Sequence, residues 1–135
     1  MIKSANIDPT ATFIEKVMPI SLQGVVTAGQ DPAYVWFPRN NVVIVDIDAT
    51  CSAKTGSGAI TWDIEDDGTS VLTTKPDLDG VAAKAQAAGV VNTTLATIAA
   101  GSVVEFVFAI AATNATNPTA WVTYREEVSP SEINS

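Results

Sequence analysis

The chain has 135 residues and a formal net charge of −8, with 47% hydrophobic and 16% charged residues. This length fits one compact domain, and the apolar share is enough for a hydrophobic core, which argues against intrinsic disorder. An acidic chain repels nucleic-acid phosphates and anionic membranes, so we expect neither partner. No apolar run approaches the roughly 20 residues of a membrane-spanning helix, and no secretory signal follows Lys3. We therefore expect a soluble protein that is made in the cytoplasm without export.

The cysteine and histidine content restricts the possible chemistry further. The chain has one cysteine, Cys51, and no histidine, which excludes an internal disulfide and a thiolate zinc cluster. Histidine is the usual general base near neutral pH and a common metal ligand. The sequence therefore predicts no enzyme, no catalytic residues and no cofactor.

The predicted elements begin after an arm of residues 1–11, which has no periodic pattern. Residues 12–18, 20–28 and 33–37 are β-rich runs separated by Pro19 and by turn formers. A long half-buried strand over residues 43–51 follows from strict alternation. The alternation places Cys51 on the inward face with Val45 and Ile47, where it is expected to be a small buried hydrophobe.

Two hairpins are predicted further along the chain. Residues 60–65 alternate and end at Asp67-Gly68, a turn that connects them to residues 69–74. Residues 104–110 form a central strand with both faces covered, and the turn formers of residues 114–118 connect it to a strand over residues 119–125. Between these hairpins, residues 79–89 are Ala-rich, which favours either one short helix near residues 80–88, with Gly89 at its C-terminus, or a loop.

Many short strands with Gly and Pro turns predict an all-β fold, an antiparallel β-sandwich of the jelly-roll kind. The domain would span residues 12–128 and be followed by a flexible tail, residues 129–135.

Four carboxylates are candidates for a cation site: Asp46, Asp48, Asp63 and Glu65. If their two strands formed a simple hairpin, like charges would face each other, which is destabilising unless a cation such as Ca²⁺ lies between them. If the strands belong to different sheets, the conflict disappears. We favour a solvated acidic face with no metal. An acid–base carboxylate pair of a glycosidase is not indicated, because no aromatic cluster adjoins these residues.

Three aromatic residues are candidates for an interface or a ligand platform: Trp36, Phe37 and Trp121. An aromatic ring can bind a sugar or a protein surface. Trp62, by contrast, lies on the apolar face of its strand and is predicted to be core.

The order of these features resembles small β-sandwich modules of tailed-phage virion proteins, found in capsid decoration proteins and at tail-fibre tips. The resemblance is carried by residues 37–46, 55–64, 67–72 and 100–106. These segments correspond to a strand, a glycine turn with the next strand, an Asp-Gly hairpin and a late Gly-led strand. The Ala-rich residues 78–99 depart from the family pattern.

The resemblance implies a structural role in a virion. The chain begins at Met1 and has no heptads or shaft repeats, so we expect a complete small protein of the decoration (cement) type on the phage head. Its partners would be the major capsid protein and copies of itself in a homotrimer, with the N-terminal arm extended along a neighbour. The alternative is a tail-fibre or baseplate tip that recognises host glycans through Trp36 or Trp121.

Overall fold

The computed structural model describes residues 12–22, 25–26, 33–54, 58–78, 85–110 and 115–128. The predicted arm and tail lie outside these residues. The described part of the chain contains strands and turns, with no helix and therefore none that could span a membrane. Its strands are β1 (Thr12–Ser21), β2 (Val25–Val26), β3 (Ala33–Trp36), β4 (Val42–Cys51), β5 (Ala53–Lys54), β6 (Ile60–Asp66), β7 (Thr69–Ser70), β8 (Leu72–Thr74), β9 (Asp77–Leu78), β10 (Ala85–Ala88), β11 (Val90–Val91), β12 (Thr97–Ile98), β13 (Val104–Ile110), β14 (Ala115–Thr116) and β15 (Thr119–Val128).

Two five-stranded antiparallel sheets form the body of the molecule. One, here called the β4 sheet, has the order β1-β15-β4-β10, with β12 also paired to β4. The other, here called the β6 sheet, has the order β3-β13-β6-β7, with β9 also paired to β6. Two smaller sheets, β2-β14-β5 and β11-β8, complete the described architecture. The predicted antiparallel β-sandwich is confirmed.

The core lies between the two large sheets and draws on both. The β4 sheet contributes Ile44, Ile47 and Val122, and the β6 sheet contributes Trp62 and Phe108, all of them at most 2% exposed. The rings of Trp62 and Phe108 are 5.2 Å apart. Burying large aromatic and branched side chains supplies most of the stability of a domain of this size. Trp62 is therefore core, as its register predicts.

A β-bulge divides β4 into two phases. Thr123 pairs with Asp46 and Tyr124 with Ile44, so Val45 has no opposite residue on β15. The extra residue reverses the alternation. Ile47 and Cys51 face inward, as predicted, but Val45 is exposed, which corrects the prediction that the three share one face.

The Asp-Gly hairpin has the geometry that its sequence predicts. Asp67 and Gly68 have φ values of 49° and 87°, both in the left-handed region that a tight primed turn requires. Asp67 also accepts a hydrogen bond from the backbone N–H of Val103 through Oδ1, at 3.0 Å. The turn therefore connects β6 to β7 and is also held to the segment before β13.

The predicted helix-or-loop is wrong where the structure describes it. Residues 85–88 are strand β10, which pairs with β4, while residues 79–84 lie outside the described part. Gly89 is not a positive-φ helix terminator. Its backbone N–H donates to the carbonyl of Ile47 at 2.8 Å. The unsatisfied edge of β4 therefore outweighs the local helix propensity of alanine.

The strand boundary predicted at Pro19 is also corrected. Pro19 does not end a strand, because β1 continues through it to Ser21. Proline is tolerated here since β1 is an edge strand of the described sheet and needs hydrogen bonds on one side only.

The second predicted hairpin does not form, because β13 belongs to the β6 sheet and β15 to the β4 sheet. The segment between them includes β14 and crosses from one sheet to the other.

Candidate functional site

The structure separates the four carboxylates of the predicted cation site. Asp46 and Asp48 lie on β4, and Asp63 and Glu65 lie on β6 in the opposite sheet. The hairpin that would have brought them together is absent, so the condition for the calcium alternative is not met. The described residues contain no group of three or more potential metal-ligating side chains arranged to hold an ion.

Each carboxylate pair has its own electrostatic environment. Partial burial, and secondarily the neighbouring charge of Asp46, raises the pKa of Asp48. Asp63 is buried and well partnered: its Oδ1 accepts hydrogen bonds from the Ser70 hydroxyl at 2.5 Å and from the backbone N–H of Ile64 at 2.9 Å. The Nζ of Lys75 lies 3.6 Å from its other oxygen. Asp63 is therefore anchored within its own sheet.

Glu65 is the most crowded carboxylate on the β6 sheet. It pairs directly with Glu105 of β13 and lies two residues from Asp63 on the same face. Burial, the hydrogen bond with Asp63 and the charges of Asp63 and Glu105 raise its pKa, in that order of importance, and Lys75 opposes them. Glu65 therefore binds a proton more readily than an isolated carboxylate does.

Trp36 lies at the opening between the two sheets and contacts one aromatic ring from each of them. Its ring stacks on Phe106 with centroids 6.0 Å apart and meets Tyr124 edge-on at 5.2 Å. The opening is an apolar groove of about 400 Å³, and both β1 and β3 contribute to its lining. Trp36 therefore works as the floor of a groove and does not present a free ring face.

The rim of this groove is an apolar edge, here called the β3 edge, formed by Tyr34, Val35 and Phe37. These side chains are 41%, 54% and 59% exposed. Within the described residues, β3 pairs only with β13 and β1 only with β15, so both strands bordering the groove have an unpaired side. Exposed apolar residues beside unpaired strand edges mark interaction surfaces. Of the sequence candidates, Phe37 belongs to this surface.

Trp121 lies elsewhere, on the outer face of the β4 sheet. It is 42% exposed, and its indole Nε1–H donates to the Thr50 hydroxyl at 2.9 Å. It borders an open cavity of about 660 Å³ whose other lining residues include Ser52, Gln86 and Asn117. The structure therefore places the three aromatic candidates in two different sites.

The polar neighbours of Trp121 are not predicted in the sequence analysis. Thr50 comes from β4, Gln86 from β10 and Asn117 from the turn before β15. They meet because β10 and β15 flank opposite sides of β4, with Thr50 paired to both Gln86 and Thr119. One signal was present in the sequence. Thr50 is a polar residue on the same face of β4 as Asp48, two residues away, and its hydroxyl could have been expected to accept a hydrogen bond on that face.

Comparisons with known proteins gave a structural similarity and no match by sequence. No protein-family model matches it, and no curated protein does. Among solved structures, a chain of the Cyanophage Pam1 capsid asymmetric unit is similar, with a TM-score of 0.48 and 14% sequence identity over 93% of each chain.

Proposed function

We propose that the protein is a structural component of a tailed-phage virion, a decoration protein that binds between capsid subunits on the head. The proposal is supported by the resemblance of its strand and turn pattern to the β-sandwich modules of such virions. The observation that carries it is the β3 edge, where exposed apolar side chains adjoin two unpaired strands. Such a surface is suited to a protein partner.

The proposed role is mechanical and requires no catalytic step. Apolar area buried at each contact would hold neighbouring capsid proteins together against the pressure of packaged DNA. Individually weak contacts become strong when symmetric copies engage at once. We therefore propose a homotrimer whose partner is the major capsid protein. The protein would be made in the host cytoplasm and then carried on the head surface.

The β3 edge is the proposed contact with the shell, and the carboxylates of the β6 sheet would remain in solvent. Val35 of β3 pairs with Glu105 of the neighbouring strand β13. The apolar edge therefore borders the acidic face directly. An apolar centre with a charged border is typical of protein interfaces. This arrangement also keeps the charged residues hydrated when the edge is covered.

The first experiment is the copy number of the protein in purified particles, measured by quantitative mass spectrometry against the major capsid protein. We expect a copy number comparable with that of the capsid protein. A few copies per particle would indicate a tail-fibre or baseplate location and contradict decoration. Absence from particles would contradict the virion role itself.

A second experiment tests the β3 edge directly. Binding of the V35D variant to heads that lack the protein would be compared with binding of the wild type by co-sedimentation. We expect at least a tenfold loss of affinity, because a charge is placed in a desolvated contact. V90D, which alters a 52% exposed valine on β11, is the matched control and should bind normally. Equal binding of both variants would show that the β3 edge is not the contact.

A further inference from the structure

The cavity beside Trp121 differs in chemistry from the apolar groove at the β3 edge. It is an open cleft of about 660 Å³ at one end of the outer face of the β4 sheet. Its volume is within the range of about 300–1,000 Å³ that is typical of small-molecule sites. Six of its lining residues are neutral and polar or aromatic: Thr50, Ser52, Gln86, Asn117, Thr119 and Trp121.

The ring of Trp121 is held in a fixed orientation. The bond from its Nε1–H to the Thr50 hydroxyl satisfies the polar group of the indole within the protein. The exposed part of the Trp121 side chain can then contact a ligand through the carbon atoms of the ring faces. Trp36 cannot play this part, because Phe106 and Tyr124 cover its ring.

Hydroxyl and amide groups surround this ring. Ser52, Gln86 and Asn117 are exposed side chains that come from three different segments of the chain. Each carries groups that can both donate and accept hydrogen bonds. None of the described residues that line the cleft carries a carboxylate or an amine, which favours a neutral partner with many hydroxyl groups.

We propose that this cleft binds a neutral carbohydrate. A pyranose ring has an apolar C–H face that fits against an indole, and its equatorial hydroxyls match the surrounding amides and hydroxyls. The openness of the cleft suits one or two sugar units of a longer chain at modest affinity. This is a binding site additional to the proposed shell contact, and it lies on a different part of the surface.

The test is a titration of the full-length ¹⁵N-labelled protein with neutral oligosaccharides, namely maltotriose, chitotriose, cellotriose, mannotriose and a rhamnose-containing trisaccharide. Trp36, Trp62 and Trp121 each have an indole N–H resonance. We expect that of Trp121 and the side-chain amide of Gln86 to shift with at least one sugar, while the Trp62 signal stays unchanged. No shift with any of the five sugars would overturn the proposal.

Two variants and one further probe make the test specific. W121A should weaken the affinity by up to about tenfold, since an aromatic contact is worth up to about 1.5 kcal/mol, and Q86A should weaken it less. F37A, which alters the β3 edge, should bind as the wild type does. Unchanged affinity in W121A would overturn the site, and equally tight binding of trigalacturonate would overturn its selectivity for neutral sugars.

Discussion

The two large sheets are alike on their inner faces and different on their outer faces. Inside, each contributes branched and aromatic side chains to one core. Outside, the β6 sheet sets Glu65 against Glu105, whereas the β4 sheet ends in the neutral cleft around Trp121. A sandwich requires only that its inner faces be apolar, so the outer faces are free to diverge. The candidate functions are therefore found on the outside and at the edges.

The equivalence of the inner faces predicts the largest effects. F108A in the β6 sheet should lower the free energy of unfolding by about 3–5 kcal/mol, and I47A in the β4 sheet by about 2–5 kcal/mol, because each leaves a cavity in the shared core. Denaturant unfolding measures both losses. A109S, at an exposed position of β13, is the control and should change little. If only one of the two variants had a lower free energy of unfolding, the two sheets would not share a single core.

Gly89 lies where the chain passes tightly between β4 and the segment around Thr74 and Pro76. A Cβ added there would lie 2.6 Å from Cγ2 of Ile47 and 2.8 Å from Cδ of Pro76. Because one of these contacts is a rigid proline ring, we expect G89A to destabilise the protein by about 1–3 kcal/mol. G101A is the contrasting variant, since its added Cβ meets no atom within 4 Å but its φ is +82°. Unchanged stability of G89A in thermal or denaturant unfolding would contradict this close contact of Gly89 with Ile47 and Pro76.

Local alternation predicts which residues face inward, and it does so best in strands without irregularities. The whole inner face of β13 and the burial of Trp62 and Cys51 follow from it. It fails at Val45, because a bulge arises from the pairing of β4 with β15 and has no signature within β4 alone. The prediction for residues 85–88 fails for a related reason. This Ala-rich segment is a strand only because it pairs with the edge of β4.

Pairing between strands is also what the site depends on. Alternation assigns faces and leaves neighbours open, so the sequence could identify Trp121 and Phe37 but could not group either with its surroundings. Trp121 acquires Thr50 and Gln86 only through the order β15-β4-β10, whereas Asn117 lies in the turn before its own strand. For the same reason the sequence does not predict the crowded pair Glu65–Glu105, and the simple hairpin in which carboxylates of β4 and β6 would face each other does not form.

The acidic outer face predicts a smaller, pH-dependent effect. The pKa of Glu65 is raised in the folded protein, so the folded state binds this proton more tightly than the unfolded chain. Stability should therefore increase as the pH falls through the raised pKa towards the ordinary carboxyl value of 4.5. E65Q should be more stable than the wild type at pH 7, by up to about 1 kcal/mol, because a like-charge pair is removed. The melting temperature as a function of pH measures this.

A control separates this local repulsion from the overall negative charge of the protein. E15Q removes one carboxylate from β1, where Glu15 lies 3.5 Å from Arg125 and is more than half exposed. We expect no gain in stability from E15Q. If E15Q and E65Q gained the same stability, the gain would be due to the lower net charge. The two outer faces would then not differ in this respect.

The smallest effect concerns an ion pair at the edge of the β4 sheet. Lys16 of β1 hydrogen-bonds Glu126 of β15, and Asn40 donates to the second oxygen of Glu126 at 3.0 Å. The bond with Lys16 is the main reason that the pKa of Glu126 is lowered, although partial burial opposes it. This pair therefore stabilises the protein above the ordinary carboxyl pKa of 4.5 and stops doing so as the pH falls through the lowered value.

The Lys16–Glu126 pair and Glu65 thus respond to acid in opposite directions. The wild type should gain stability on mild acidification and lose it again at lower pH. K16M should lose no more than about 1 kcal/mol at pH 7, because Lys16 is 46% exposed and water screens the pair, and its loss on strong acidification should be smaller than that of the wild type. E65Q should reduce the gain, to which the raised pKa of Asp48 also contributes, and leave the later loss in place. If instead K16M removed the gain, the protons that stabilise the fold would be bound on the β4 sheet, and the contrast between the two faces would be reversed.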